Sequence, residues 1–171
     1  MAWTFNDAER EHLNCFPTDI SSQDIITFFT LSSADKKHIP ITTRAGNRLG
    51  FALQLCTLRY LGFCPDTLTP LPAEVLEYLA KQLGINTNSL SDYGERAHTR
   101  TDHLQTIQEY LGFRKATQAD FTSLAAWLLD RALEHDKPSL LLQLLCERFY
   151  KEKIVRPGIT RLEKLIDFSD L

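Results

Sequence analysis

Capping signatures of the kind that open α-helices recur along this chain, and the apolar–polar alternation of strands is nearly absent. Asn6 is followed three residues on by Glu9, Ser21 by Asp24, Ser32 by Asp35 and Thr117 by Asp120. In each pair the first side chain can accept from the backbone N–H three residues ahead, while the acid reaches back to the cap. Stops are as regular: Gly62, Gly84 and Gly112 suit left-handed C-terminal positions, and Pro17, Pro40 and Pro157 interrupt helical pattern. The spacing predicts helices over about 6–14, from 21, from 32 and over 44–61, one from Pro72 to Gly84, a short one near 89–93, then 99–111, 117–134, 136–152 and a last one holding Leu162, Leu165 and Ile166. The fold class implied is all-α.

The long segment 44–61 carries two apolar faces, Leu49, Leu53, Cys56 and Tyr60 on one and Phe51, Leu55 and Leu58 on the other. Its latter part is therefore expected to be buried on two sides. An internal repeat accompanies it. Tyr60-Leu61-Gly62-Phe63 returns as Tyr110-Leu111-Gly112-Phe113, and at the same offset Asp24–Phe29 aligns with Glu74–Leu79. Two tandem small helical bundles with helix-turn-helix-like modules are expected, one over 1–66 and a second over 67–171 that includes the C-terminal helices.

Charge is unevenly spread. The chain is slightly acidic, with a net charge of -3, yet no acid occurs between Lys36 and Pro65, where Lys36, Lys37, His38, Arg44, Arg48 and Arg59 stand. Such a concentration is the footprint of a polyanion-binding face; the bland alternative is a solvated surface. A short helix followed by a tight connection and a longer helix with a basic start has helix-turn-helix form. Arg44 or Arg48 could fork onto guanine and Asn47 could pair with adenine, while Lys36, Lys37, Thr42 and Thr43 suit phosphates. The corresponding place in the second module holds Arg96, His98, Thr99, Arg100 and His103, diluted by Glu95 and Asp102, with Arg114 and Lys115 after the glycine stop.

Other classes find little support. The four cysteines form no C-x-x-C pair and sit among apolar neighbours, as free thiols do in a reducing compartment. His12 and Cys15 are two ligands short of a zinc site, so no metal and no cofactor are expected. Phosphate-binding glycine loops and hydrolase motifs are absent, which points away from an enzyme. The first residues lack the pattern of a signal peptide, and the run from Leu140 to Cys146 is too short to span a bilayer, so the expected place is the cytoplasm without membrane contact.

Several phrases resemble one family. Arg44-Ala45-Gly46-Asn47-Arg48-Leu49-Gly50-Phe51-Ala52-Leu53-Gln54-Leu55, continuing to Leu58-Arg59-Tyr60-Leu61-Gly62, is similar to the N-terminal region of the large replicative transposases of the Tn-three family. Phe29–Ser32, Arg100 through Phe113, Ala125–Leu129 and Ile154–Ile159 fit as well. The resemblance implies a helical region that recognises the terminal inverted repeats of a transposon. It also implies a magnesium-dependent strand-transfer domain far downstream, outside this chain. The expected function is then sequence-specific binding of double-stranded DNA by a non-catalytic part of a transposase, on the bacterial nucleoid, with the remaining transposase domains as partners. The alternative is a helical protein–protein interaction module regulating transposase assembly, favoured by the apolar C-terminal helix, which lacks an evident packing partner. The contact residues named above rest on the helix argument alone.

Overall fold

The computed structural model describes residues 5–96 and 98–167; residues 1–4, which entered the reading of the N-terminus, lie outside them. The fold is all-α: among the described residues are nine α-helices, one 3-10 turn and no strand, with one isolated parallel bridge between Arg114 and Ile154. The helices are α1 (Asp7–Asn14), α2 (Ser22–Phe29), α3 (Ser33–His38), α4 (Ala45–Leu61), α5 (Ala73–Leu83), α6 (Thr99–Leu111), α7 (Gln118–Ala132), α8 (Pro138–Lys151) and α9 (Ile159–Ile166). The short helix expected near 89–93 is a 3-10 turn over Thr87–Asp92, opened by the Asn86 side chain.

The caps explain the boundaries. Asn6, Ser32 and Thr117 each form a full capping box, and Ser21 accepts from the N–H of Asp24. Gly62, Gly84 and Gly112 end α4, α5 and α6 at φ of 77°, 64° and 76°, where a Cβ would be strained. No helix among the described residues is long and apolar enough to cross a membrane.

The chain divides into two compact units. One takes the described residues up to Cys15 together with those from Phe113 onward. Its core joins Phe5 to Leu124 and Leu128 of α7, Leu141, Leu145 and Phe149 of α8, Ile154, and Leu162, Leu165 and Ile166 of α9. The expectation that α9 lacks a packing partner is therefore corrected: its apolar face is buried, and α9 packs on α7, α8 and α1. Glu163, also buried, accepts from the backbone N–H of Phe5 at 2.9 Å and from Arg10, which ties the first helix to the last.

The other unit runs from Phe16 to Gly112. Every residue of α4 from Leu49 to Leu58 is buried, so this helix is the axis of the unit, packed on α2, α5, α6 and the 3-10 turn. The expected boundary at 66/67 falls inside this unit, because α4 needs neighbours from both halves of the repeat to cover its two apolar faces. Those halves share one element order: α2, α3 and α4 ending at Gly62, then α5, the 3-10 turn and α6 ending at Gly112.

Candidate nucleic-acid interface

The close packing of α4 on the 3-10 turn depends on two glycines a helical turn apart. A Cβ on Gly46 would stand 2.2 Å from the carbonyl oxygen of Ser89, and one on Gly50 would stand 2.2 Å from Cγ of Tyr93. Neither position can hold a side chain, so the 3-10 segment lies directly against the first turns of α4. This brings the start of α6 beside the start of α4, although the two are over fifty residues apart in sequence.

Between them lies a cleft of about 410 Å³. Thr42, Thr43, Arg44 and Asn47 line it from the α4 side, and Arg96, Thr99 and His103 from the α6 side. Seven of the predicted binding residues, drawn from both candidate faces, thus converge on one feature. Neither helix start has a side-chain cap, Arg44 and His98 occupying the cap positions. The first backbone N–H groups of a helix have no intrahelical acceptor, and the aligned peptide dipoles add partial positive charge there.

Acids share the cleft. Asp92, Glu95 and Asp102 line it as well, and Arg44 Nη1 donates to Glu95 Oε2 at 2.7 Å. An acid-free stretch of sequence has therefore not made an acid-free surface. Arg59 is also withdrawn from the basic window: its guanidinium donates to both carboxylate oxygens of Asp35, at 3.2 and 2.7 Å. Burial alone would raise the Asp35 pKa, but Arg59, the Ser32 N–H and the Tyr110 hydroxyl outweigh it and hold the carboxyl below its ordinary value. His38 stacks on Tyr110 with ring centroids 3.8 Å apart.

The remaining predicted residues do not line the cleft. Lys36 and Lys37 are exposed on α3, and His98 is exposed at the α6 cap. Arg48 is half-buried, with its Nε enclosed and without a hydrogen-bond partner. Arg100 is half-buried and donates to the carbonyl of Asp66 at 2.9 Å. Arg114 and Lys115 belong to the other unit, where Arg114 holds Asp120 through two hydrogen bonds of 2.6 and 2.8 Å. That carboxylate raises the Arg114 pKa, and Arg114 in turn holds Asp120 well below the usual carboxylate range.

Beneath the cleft lies a polar relay that spacing does not reveal. Tyr93 Oη donates to Gln54 Oε1 at 2.8 Å and lies 3.1 Å from Nδ1 of His103. Phe51 meets the same imidazole edge-on at 5.1 Å. Burial pushes the Tyr93 hydroxyl up and lowers the pKa of His103, against a smaller opposing effect of Asp102. Gln54 is the one sequence signal: a polar residue inside an apolar helix asks for a buried partner. Cys56 and Cys64 are free thiols pushed up to about 12 by burial, which leaves them chemically quiet.

Comparison with known proteins places this chain in a family. The family described as Domain of unknown function (DUF4158) matches residues 5–167. The chain is 35% identical over 140 residues to the transposase for transposon Tn1546 of Enterococcus faecium, covering 82% of this chain and 14% of that protein. It is 33% identical to the transposase for transposon Tn501 of Pseudomonas aeruginosa, over 84% of this chain and 15% of the relative. It is 30% identical to the transposase for transposon gamma-delta of Escherichia coli (strain K12), over 92% and 16% respectively. The chain thus spans about one sixth or less of the length of these relatives. It belongs to the DUF4158 family and is homologous, over most of its length, to transposases of the Tn-three family.

Proposed function

We propose that this chain is a DNA-binding region of a transposase, recognising the terminal inverted repeats of a transposon at the cleft where α4 and α6 begin. The observation that carries this reading is the convergence of two separately predicted basic stretches on one cleft between two uncapped helix starts. In this reading Arg44 and Asn47 meet base edges while Thr42, Thr43 and Thr99 hold phosphates, with Arg96 on the opposite wall; what supports it is that all six line the cleft. Lys36 and Lys37 add phosphate contacts from α3. Since Leu49–Leu58 is buried, α4 enters a groove end-on through its first turn, not along its length. Strand transfer belongs to the rest of the parent transposase, whose domains are the protein partners, and the site of action is the bacterial nucleoid.

The test is an anisotropy titration of the purified chain against a terminal-repeat duplex and a scrambled one. With about four phosphates neutralised, log K should fall against log salt with a slope of roughly -3 to -4. Preference for the terminal repeat supports the reading; equal affinity for both duplexes sinks it.

A second reading, docking of another helical segment, is favoured by one observation in the other unit. A groove of about 470 Å³ is lined by Phe121, Ala125 and Leu129 of α7 and by Leu165 of α9, with Arg161 and Lys164 at its edge and no acid in its lining. Its charge suits an acidic amphipathic helix. Co-elution with the remaining transposase domains, abolished by Leu129→Glu, would support this; unchanged elution would exclude it.

A further inference from the structure

The relay under the cleft determines which nitrogen of His103 carries hydrogen. A phenol has one hydrogen, and Tyr93 gives it to Gln54 Oε1. The Tyr93 oxygen can then only accept from His103, so the 3.1 Å contact requires the hydrogen on Nδ1. Burial lowers the pKa of this histidine, which keeps the ring neutral, and raises that of Tyr93, which keeps the phenol protonated. A neutral ring with hydrogen on Nδ1 has a bare lone pair on Nε2. His103 lines the cleft, and its Nε2 stands apart from the Nδ1 that meets Tyr93. No hydrogen bond joins Nε2 to any described residue.

We propose that His103 is a specificity-determining residue that accepts a hydrogen bond at Nε2 from the exocyclic amino group of a DNA base, in a tautomer set by Tyr93 and Gln54. This inference rests on the DNA-binding reading above. The arginines, threonines and helix N–H groups of the cleft donate to phosphates and base acceptors. A neutral acceptor in their midst selects instead for an amino group, on adenine or cytosine in the major groove or on guanine in the minor groove. Gln54 and Tyr93 are positioning residues: they touch no DNA and act by holding the imidazole in one tautomer and one orientation.

Two measurements test this. In the free protein at neutral pH, nitrogen NMR of His103 should show a protonated, pyrrole-like Nδ1 and a bare, pyridine-like Nε2, and Tyr93→Phe should give a mixture of tautomers. The opposite tautomer in the wild-type protein overturns the proposal. In the second, amino groups of a terminal-repeat duplex are deleted one at a time, with nebularine for adenine, 2-pyrimidinone for cytosine and inosine for guanine. One deletion should cost the wild-type protein about tenfold in affinity and cost His103→Ala and Tyr93→Phe almost nothing; which analogue it is identifies the base. If the alanine variant fails to fold, the NMR result and the Tyr93→Phe scan decide. Preference for the terminal repeat with no amino group coupled to His103 refutes this inference alone. Absence of any preference refutes the DNA-binding reading and this inference with it.

Discussion

Arg44 holds Glu95 at 2.7 Å in the lining of the cleft, with both side chains largely exposed, at 70% and 56%. The carboxylate occupies the guanidinium that a phosphate or a guanine would use. Exposed pairs of this kind are worth about 1 kcal/mol or less, so DNA can displace the acid at small cost. Glu95→Gln should therefore raise affinity for terminal-repeat and scrambled duplexes alike, by about threefold at low salt. Arg44→Ala should weaken binding to the terminal repeat by about 1–3 kcal/mol and relax the preference at one base pair. Anisotropy titrations of both variants against terminal-repeat, point-substituted and scrambled duplexes read both effects; an equal loss on every duplex in Arg44→Ala would exclude Arg44 from base contact.

The Asp35 carboxylate, 2% exposed, is satisfied by Arg59, the Tyr110 hydroxyl at 2.9 Å and the Ser32 N–H at 2.9 Å. Arg59→Ala would leave a buried charge without its counter-ion and should cost about 3 kcal/mol in urea denaturation. Tyr110→Phe removes one hydrogen bond to that charge and should cost about 1.5 kcal/mol.

The same carboxylate gives a pH dependence of definite sign. Its pKa in the folded protein is held below the ordinary value, so the unfolded chain takes up its proton first as pH falls. The stabilisation is complete above the ordinary carboxylate range, about pH 4, and is lost as pH drops through the lowered folded value. Asp35→Asn should unfold more easily at pH 7 but lose less stability than wild type between pH 5 and 3, measured as urea midpoints.

Gly46 and Gly50 set the approach of the 3-10 turn to α4. Gly50→Ala collides with the Tyr93 ring and Gly46→Ala with the Ser89 backbone, and each should cost about 1–3 kcal/mol as overpacking does. A second change, Tyr93→Ala, should relieve much of the Gly50→Ala strain and none of the Gly46→Ala strain, because only the first clash is with a side chain. A double-mutant cycle by thermal unfolding checks this; equal coupling in both pairs would contradict the geometry.

In the other unit, Glu163 is buried and joins α9 to the Phe5 N–H and Arg10. Glu163→Ala should cost about 2 kcal/mol by leaving a buried donor unpaired, and should release α1. Limited proteolysis would then cut near residue 15 in the variant and not in the wild-type protein.

What was legible in the sequence is what local interactions decide. The caps at Asn6, Ser21, Ser32 and Thr117 and the glycine stops at 62, 84 and 112 act within a few residues, so helix existence and most boundaries could be read directly. The repeat was visible for the same reason, since matching capping and stop residues mark matching elements. The family resemblance rests on the same local phrases, above all the one running from Arg44 to Leu55.

The rest was decided by tertiary packing, which brings together residues with no relation in sequence. The two basic stretches meet in one cleft only because Gly46 and Gly50 admit the 3-10 turn against α4. Glu95 neutralises Arg44 from 51 residues away, and Asp35 takes Arg59 from 24 away, so a run of like charge in sequence carried no information about the charges opposite it in space. The described residues up to Cys15 and from Phe113 onward form one unit and those between form another, because helix faces are covered by whichever apolar surface the fold presents, not by the nearest in order.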